Sequence, residues 1–484
     1  METGKAYEVV VGLEVHIQLL TESKLFAADS TVFGKEANTN VSVITLAHPG
    51  TMLKLNKKAV EFAIRMGLAC KSEISRYCIF DRKNYFYPDL PKGFQTTQDR
   101  TPICVGGTVP ITLKDGKKVD IQLNRIHLEE DAGKSMHDQD HEDSLIDLNR
   151  AGVPLIELVT EPCIASAEEA MTFLTEIRSM VRYLEICDGN MEQGSLRCDA
   201  NISVKKNGES ELGKKVEVKN MNSIRNVGRA IKYEFERQVK LLDADKEIIS
   251  ETRLFDANSG ITSGMRTKEE LNDYRYFPEP DLSPFTVSDQ WLAQIRDEMP
   301  PTPEVMRETL THEFGLSDYD ANVLCQEKRV VDFFLVVCQK TNHYKQVANW
   351  LIGPVKSILN EQETEDVEMP LSTAQLADLV NAIEDGKINA TMANKQVFPF
   401  LMKYGDKLVA DAIEELGLEQ VSKDDISDVI LEVLGQHPDK VKAYQSGKKN
   451  LIGMFMGEVM KQTKGSADPK KTNELLRHAL EEKN

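Results

Sequence analysis

GLEVHIQL, residues 12–19, follows the apolar run Val9-Val10-Val11 near the start of the chain. Alternate positions put Leu13, Val15, Ile17 and Leu19 on one side and Glu14, His16 and Gln18 on the other, a period of two that specifies a β-strand. One face needs a core. The other carries a carboxylate, an imidazole and an amide in a row, which taken alone is also compatible with a plain solvated face.

Further strands show the same division of labour. In GSLRCDANISV (194–204), Ser195, Arg197, Asp199, Asn201 and Ser203 alternate with Leu196, Cys198, Ala200, Ile202 and Val204. RIHLEEDAGKS (125–135) alternates Arg125, His127 and Glu129 with Ile126 and Leu128, then ends in three consecutive carboxylates that repel one another unless cations sit among them. VPLIELVTEP (153–162) sets Glu157 inside an apolar run, where a carboxylate needs either a cationic side chain such as Arg150 or a metal ion. KKVEVKNMNS (214–223) adds Lys215, Glu217 and Lys219 on one face. Together these strands can line one hydrophilic cavity, and acids at strand ends beside Lys and Arg suit a divalent cation and a phosphorylated ligand.

Helical signals sit between the strands. Asn56 caps an amphipathic stretch to Cys70, Ser166 with Glu169 forms a capping-box pattern, and a third helix opens at Ser223. After the prolines at 300, 301 and 303 the strand signals stop. The expected organisation is α+β: a mixed or antiparallel β cradle with helices over 1–295, an all-α domain over 296–406, and a helical tail over 407–484.

Composition narrows the class. The 484 residues carry a formal charge of −19, which argues against nonspecific coating of nucleic acid, yet from Gln436 onward ten Lys or Arg stand against six Asp or Glu. No apolar run reaches the roughly 18 residues that span a bilayer, and METGKAYEVV has no signal-peptide core, so the expected compartment is the cytoplasm, without membrane contact. The eight cysteines form no C-x-x-C pair. AGKS at 132–135 imitates the end of a phosphate-binding loop, but Leu128 stands where that motif needs glycine. FDRKNYFYPDLPKGFQ (80–95) and DYRYFPEPDL (273–282) are rigid aromatic loops of the kind that position binding groups.

These motifs, with SKLF and DLNRAGVPLIELVTEP, resemble in order and spacing the B subunit of the heterotrimeric glutamyl/aspartyl-tRNA amidotransferases over nearly the whole chain, including a YqeY-like tail. The resemblance implies ATP- and Mg2+-dependent phosphorylation of the side-chain carboxylate of Glu-tRNA(Gln) or Asp-tRNA(Asn). Ammonia from a glutaminase A subunit then displaces phosphate, with a small C subunit completing the trimer. It also implies Glu14, His16, Glu129, Glu130 and Glu157 as metal ligands, with Glu14, His16 and Glu130 catalytic. Because magnesium prefers oxygen, His16 would bind it weakly or instead orient ammonia or the acyl phosphate. Lys83, Tyr85 and Tyr87 would lie near the nucleotide or the acceptor end, and Arg197, Asp199 and Asn201 would line the same cradle. Lys448, Lys449, Lys461, Lys464, Lys470 and Lys471 would grip mischarged tRNA. Many members carry a zinc-binding cysteine cluster where residues 26–50 lie here; with no cysteine in that segment, zinc is not expected and the loop is expected to be held by packing alone. The rival reading is a catalytically silent tRNA-binding adaptor of the same fold.

Overall fold

A computed structural model describes residues 6–136, 143–267, 274–361, 368–418, 423–463, 467 and 469–481. The chain divides into two compact units, Met1–Pro303 and Glu304–Asn484.

The first unit is α+β. Its strands, in chain order, include β1 (Tyr7–Gln18), β2 (Asp81–Asn84), β3 (Phe94–Thr97), β4 (Lys118–Glu130) and β5 (Pro154–Thr160). They continue with β6 (Leu196–Lys206), β7 (Val216–Lys219), β8 (Glu251–Phe255), β9 (Thr262–Thr267) and β10 (Arg275–Pro278). The large sheet runs β9-β8-β7-β6-β1-β5-β4 and then through the short strands Cys104–Val105 and Glu73–Ile74. It is mixed: β7 and β8 pair in parallel, whereas β1 pairs antiparallel with both β5 and β6.

The alternation of β1 is realised in full. Val11, Leu13, Val15 and Ile17 are at most 1% exposed, so each stabilises the fold by about 1.5–3 kcal/mol. A slip of one residue would drive Glu14 and His16 into that core, which is why the register is tightly specified. Helices α1 (Lys57–Ala69), α2 (Ala167–Tyr183) and α3 (Ile224–Asp243) supply Val60, Ile64, Phe173, Ile177, Val227 and Ile231 to the same core. All three start where their caps predict. The Asn56 side chain accepts from the N–H groups of Lys58 and Ala59, Ser166 from Glu169, and Ser223 from Asn226. The Glu169 carboxylate, however, accepts from the Ala165 N–H at 2.8 Å, one residue ahead of the expected box partner.

With helices filling the apolar face, the polar face of the large sheet is left for chemistry. The two aromatic loops form a separate small sheet, in which β2 pairs with β3 and with β10. Arg82 locks it by donating to Glu279 at 2.8 and 2.7 Å. The end of the AGKS segment lies in a short strand, Lys134–Met136, paired with Leu145–Asp147, rather than at the start of a helix as in a phosphate-binding loop.

The second unit is helical throughout its described residues. Pro354 lies within one π-helical turn, Leu351–Val355, and Pro399 follows another, Ala393–Val397, as expected where proline removes a backbone donor. Helices Lys423–Gln436, Pro438–Gln445, Ile452–Gln462 and Pro469–Glu481 enclose a core of Ile430, Val433, Phe455, Val459, Leu476 and Leu480. Met454, Met456 and Met460 pack against this core. Among the described residues no helix is long and apolar enough to cross a membrane.

Candidate active site on the polar face of the sheet

Strand register assembles the site. Cross-strand pairing sets His127 opposite Glu157, Glu157 opposite His16, and His16 opposite Arg197, one row across β4, β5, β1 and β6. The next row places Val159, Glu14 and Asp199 side by side. Cβ atoms of such pairs lie about 4.5–5.5 Å apart, close enough for these side chains to meet.

Two carboxylate clusters result. In the first, ligand atoms of His16, Glu129 and Glu157 lie within 4.8 Å of one another. His16 Nε2 is 3.6 Å from Glu157 and 3.8 Å from Glu129, while His127 Nε2 is 3.3 Å from Glu157 and 3.6 Å from Glu129. Burial disfavours the His127 imidazolium, but the two carboxylates outweigh it and raise His127 to about 9. Burial would likewise raise Glu157, yet His127 and then His16 hold it well below the usual carboxylate range.

The second cluster is Glu14, Asp199 and Glu217, also within 4.8 Å. Burial, then the Glu157 charge, raises Glu14, although the Asn201 amide donates to it at 2.8 Å. Lys219 reaches into this cluster, 2.5 Å from Asp199 and 3.1 Å from Glu217. An all-oxygen trio suits a hard cation.

Above the first cluster stands Lys83, its ammonium 4.9 Å from the centre of the Tyr274 ring. Burial pulls Lys83 down, but Glu129, Tyr276 and Glu157 together leave it raised. Tyr85 packs edge-on to Tyr87 and Tyr274, with centroids 5.9 and 5.6 Å apart, and is raised first by burial and then by Glu129. Cations, carboxylates and aromatic faces thus converge on one surface of the sheet.

Residues 9–293 match the GatB/GatE catalytic domain family, and residues 332–480 match the GatB domain family. The chain belongs to the GatB family. It is 47% identical over 477 residues to the B subunit of the aspartyl/glutamyl-tRNA(Asn/Gln) amidotransferase of Thermodesulfovibrio yellowstonii, covering 98% of this chain and 100% of that one. The B subunits of the same name from Rickettsia rickettsii and Alkalilimnicola ehrlichii are 46% and 45% identical, each across at least 98% of both chains.

In this GatB-family chain the strands separate the residues that the sequence grouped together. Glu130 does not join the metal-ligand candidates. It follows Glu129 in an extended strand and therefore points to the opposite face, where it pairs with Lys92 and accepts from the Thr96 N–H at 2.8 Å. The carboxylate set is divided: Glu14 groups with Asp199 and Glu217, apart from the trio of His16, Glu129 and Glu157. Glu157 has no ion pair with Arg150, which instead donates to the carbonyls of Ala132 and Gly133 at 2.9 and 2.6 Å. Residues 26–50 are held by hydrogen bonds as well as packing. Asp29 accepts from Ser42 and Thr45, and Asn38 exchanges bonds with Ile146 and Leu148 at 2.9 and 2.8 Å.

Tyr87 is half exposed at the rim, whereas Arg197 and Asn201 face the clusters. Lys448, Lys449, Lys461, Lys470 and Lys471 are exposed in the second unit, and Lys464 lies outside the described residues. Reasoning from sequence set His127, Glu217 and Lys219 on polar strand faces and Tyr274 in an aromatic loop, but gave none of them a role at the site. Their period-two placement carried a signal for the first three, but only pairing across strands reveals what they touch.

Proposed function

We propose that this chain is the activating subunit of a cytoplasmic three-subunit tRNA amidotransferase. In this reading the polar face of the sheet transfers the γ-phosphoryl group of ATP to the side-chain carboxylate of Glu on tRNA(Gln) or Asp on tRNA(Asn). The observation that carries it is the pair of adjacent carboxylate clusters bordered by Lys83 and Arg197, within a family whose members are named tRNA amidotransferase subunits. A carboxylate oxygen of the aminoacyl group attacks the γ-phosphorus, the bond to the β-phosphate oxygen breaks, and ADP leaves. Ammonia, supplied by a glutaminase A subunit held with a small C subunit, then attacks the acyl carbon. Phosphate departs, and a proton is lost from nitrogen.

Glu14, Asp199 and Glu217 on one side, and His16, Glu129 and Glu157 on the other, would hold Mg2+. The bound metal would supply charge neutralisation on the phosphates and alignment for in-line transfer. Lys83 presents a fixed cation toward the triphosphate, and Tyr85 with Tyr87 offers ring faces at the rim for nucleotide or acceptor-end bases. Exposed Lys448, Lys449, Lys461, Lys470 and Lys471 give the tail a surface for tRNA phosphates.

The decisive experiment uses the assembled complex with mischarged tRNA, γ-labelled ATP and ammonium as nitrogen donor. ATP cleavage stimulated by the mischarged tRNA, lost in Glu157→Gln and His16→Ala, supports the reading. A complex that binds mischarged tRNA and leaves ATP intact is an adaptor, and the activating role falls.

A further inference from the structure

We infer that Asp131 is a positioning residue of this site: it seizes one edge of the Arg197 guanidinium and the Gln18 amide, aiming both across the polar face of the sheet. The inference rests on the reading just proposed.

Three consecutive carboxylates close β4, and they do three different things. Glu129 enters the first cluster, Glu130 turns to the opposite face, and Asp131 lies just beyond the strand, 4% exposed. Both its oxygens accept hydrogen bonds. Oδ1 accepts from Arg197 Nη2 and from the Ala132 N–H, each at 3.0 Å, and Oδ2 accepts from Gln18 Nε2 at 2.6 Å with Arg150 Nε at 3.7 Å. Arg150 in turn grips the carbonyls of Ala132 and Gly133, so the carboxylate is seated by its own turn. Three hydrogen bonds and a nearby guanidinium on so buried a carboxylate make it a seat for its donors rather than a ligand for metal or substrate. It acts through its donors.

Arg197 is the donor with something to offer. It pairs across the sheet with His16, its side chain is 31% exposed, and among the described residues only Nη2 finds a hydrogen-bond partner. Nε and Nη1 therefore remain free to meet phosphoryl oxygens beside the clusters. Glu129 and Asp199 also attract this guanidinium. Without Asp131 it would swing onto them, neutralising carboxylates that a divalent cation needs. A donor fixed before the reaction costs no reorganisation when charge develops on the phosphoryl group.

The test is a double-mutant cycle on the assembled three-subunit enzyme, reading kcat and KM for ATP and mischarged tRNA. Arg197→Ala should lower kcat about a hundredfold, and Asp131→Asn about tenfold, with KM for tRNA unchanged. On the Arg197→Ala background, Asp131→Asn should cost nothing further. Added guanidinium ion should restore part of the activity of Arg197→Ala and none in the double variant. An equal tenfold loss on both backgrounds, or a fall in thermal stability at unchanged kcat, makes Asp131 merely structural and overturns the inference. Should Asp131→Asn not fold, Arg197→Ala with guanidinium decides alone, since failure to rescue shows that no seat for the cation remains. Glu157→Gln run in parallel separates the two levels. If it is inactive while Arg197→Ala turns over normally, only the inference falls; if it is active, the proposed function falls and takes the inference with it.

Discussion

His127 should make the first unit lose stability as the solution turns alkaline. The imidazole is 3% exposed and faces two carboxylates through Nε2, at 3.3 Å to Glu157 and 3.6 Å to Glu129. Its pKa is raised to about 9 in the fold, against an unfolded value of about 6.5. A group whose folded pKa lies above its unfolded one contributes stability that is fully present below the unfolded value and is lost as pH rises through the folded value. The window is therefore pH 6.5 to 9. Each pKa unit corresponds to about 1.4 kcal/mol, so the whole window is worth about 3 kcal/mol. His127→Gln removes the titration while keeping a side chain of similar bulk, and its stability should be flat where the parent slopes. Urea unfolding of the metal-free chain, followed by Trp291 fluorescence in a Trp350→Phe background, reads the first unit alone, because Trp291 packs against its core. The difference between parent and His127→Gln cancels other titrating groups, including Lys24, whose pKa burial lowers to about 8. Parallel pH profiles for the two proteins between pH 6.5 and 9 would refute the reasoning.

The two neighbouring glutamates of β4 should behave oppositely: Glu129→Gln weakens Mg2+ binding in calorimetric titration, whereas Glu130→Gln leaves it intact but destabilises the fold by about 3 kcal/mol through its buried Lys92 partner. Asp29→Ala removes the acceptor for Ser42 and Thr45, so limited proteolysis should cut residues 30–50 faster, with a stability loss of about 1–3 kcal/mol. Charge reversal at Lys448 and Lys449 should weaken mischarged-tRNA binding and reduce the slope of log affinity against log salt by roughly one for each tRNA phosphate no longer neutralised, leaving ATP use unchanged; an unaltered slope in filter binding would remove the tail from the tRNA-binding surface.

The sequence by itself determined the elements. Period-two alternation in GLEVHIQL, RIHLEE and RCDANISV fixed which side of each strand is polar, because a buried charge is too costly for any other register. Asn56, Ser166 and Ser223 fixed the helix starts, since capping is a local contact between residues two or three apart. The prolines at 300, 301 and 303 marked where strand signals end. Alternation also separates Glu129 from Glu130, so their divergent fates were in principle legible. Which strands lie side by side was not. Pairing of β1 with β5 and β6 joins residues as far apart as Tyr7 and Lys206, and that choice depends on how helices cover the opposite face. Only the tertiary structure therefore decided that His127 neutralises Glu157, that Arg150 turns to the backbone, that Lys219 sits among Glu217 and Asp199, and that Asp131 holds Arg197. Local periodicity says which way a side chain points; the partner it finds there comes from long-range packing, which no short window of sequence contains.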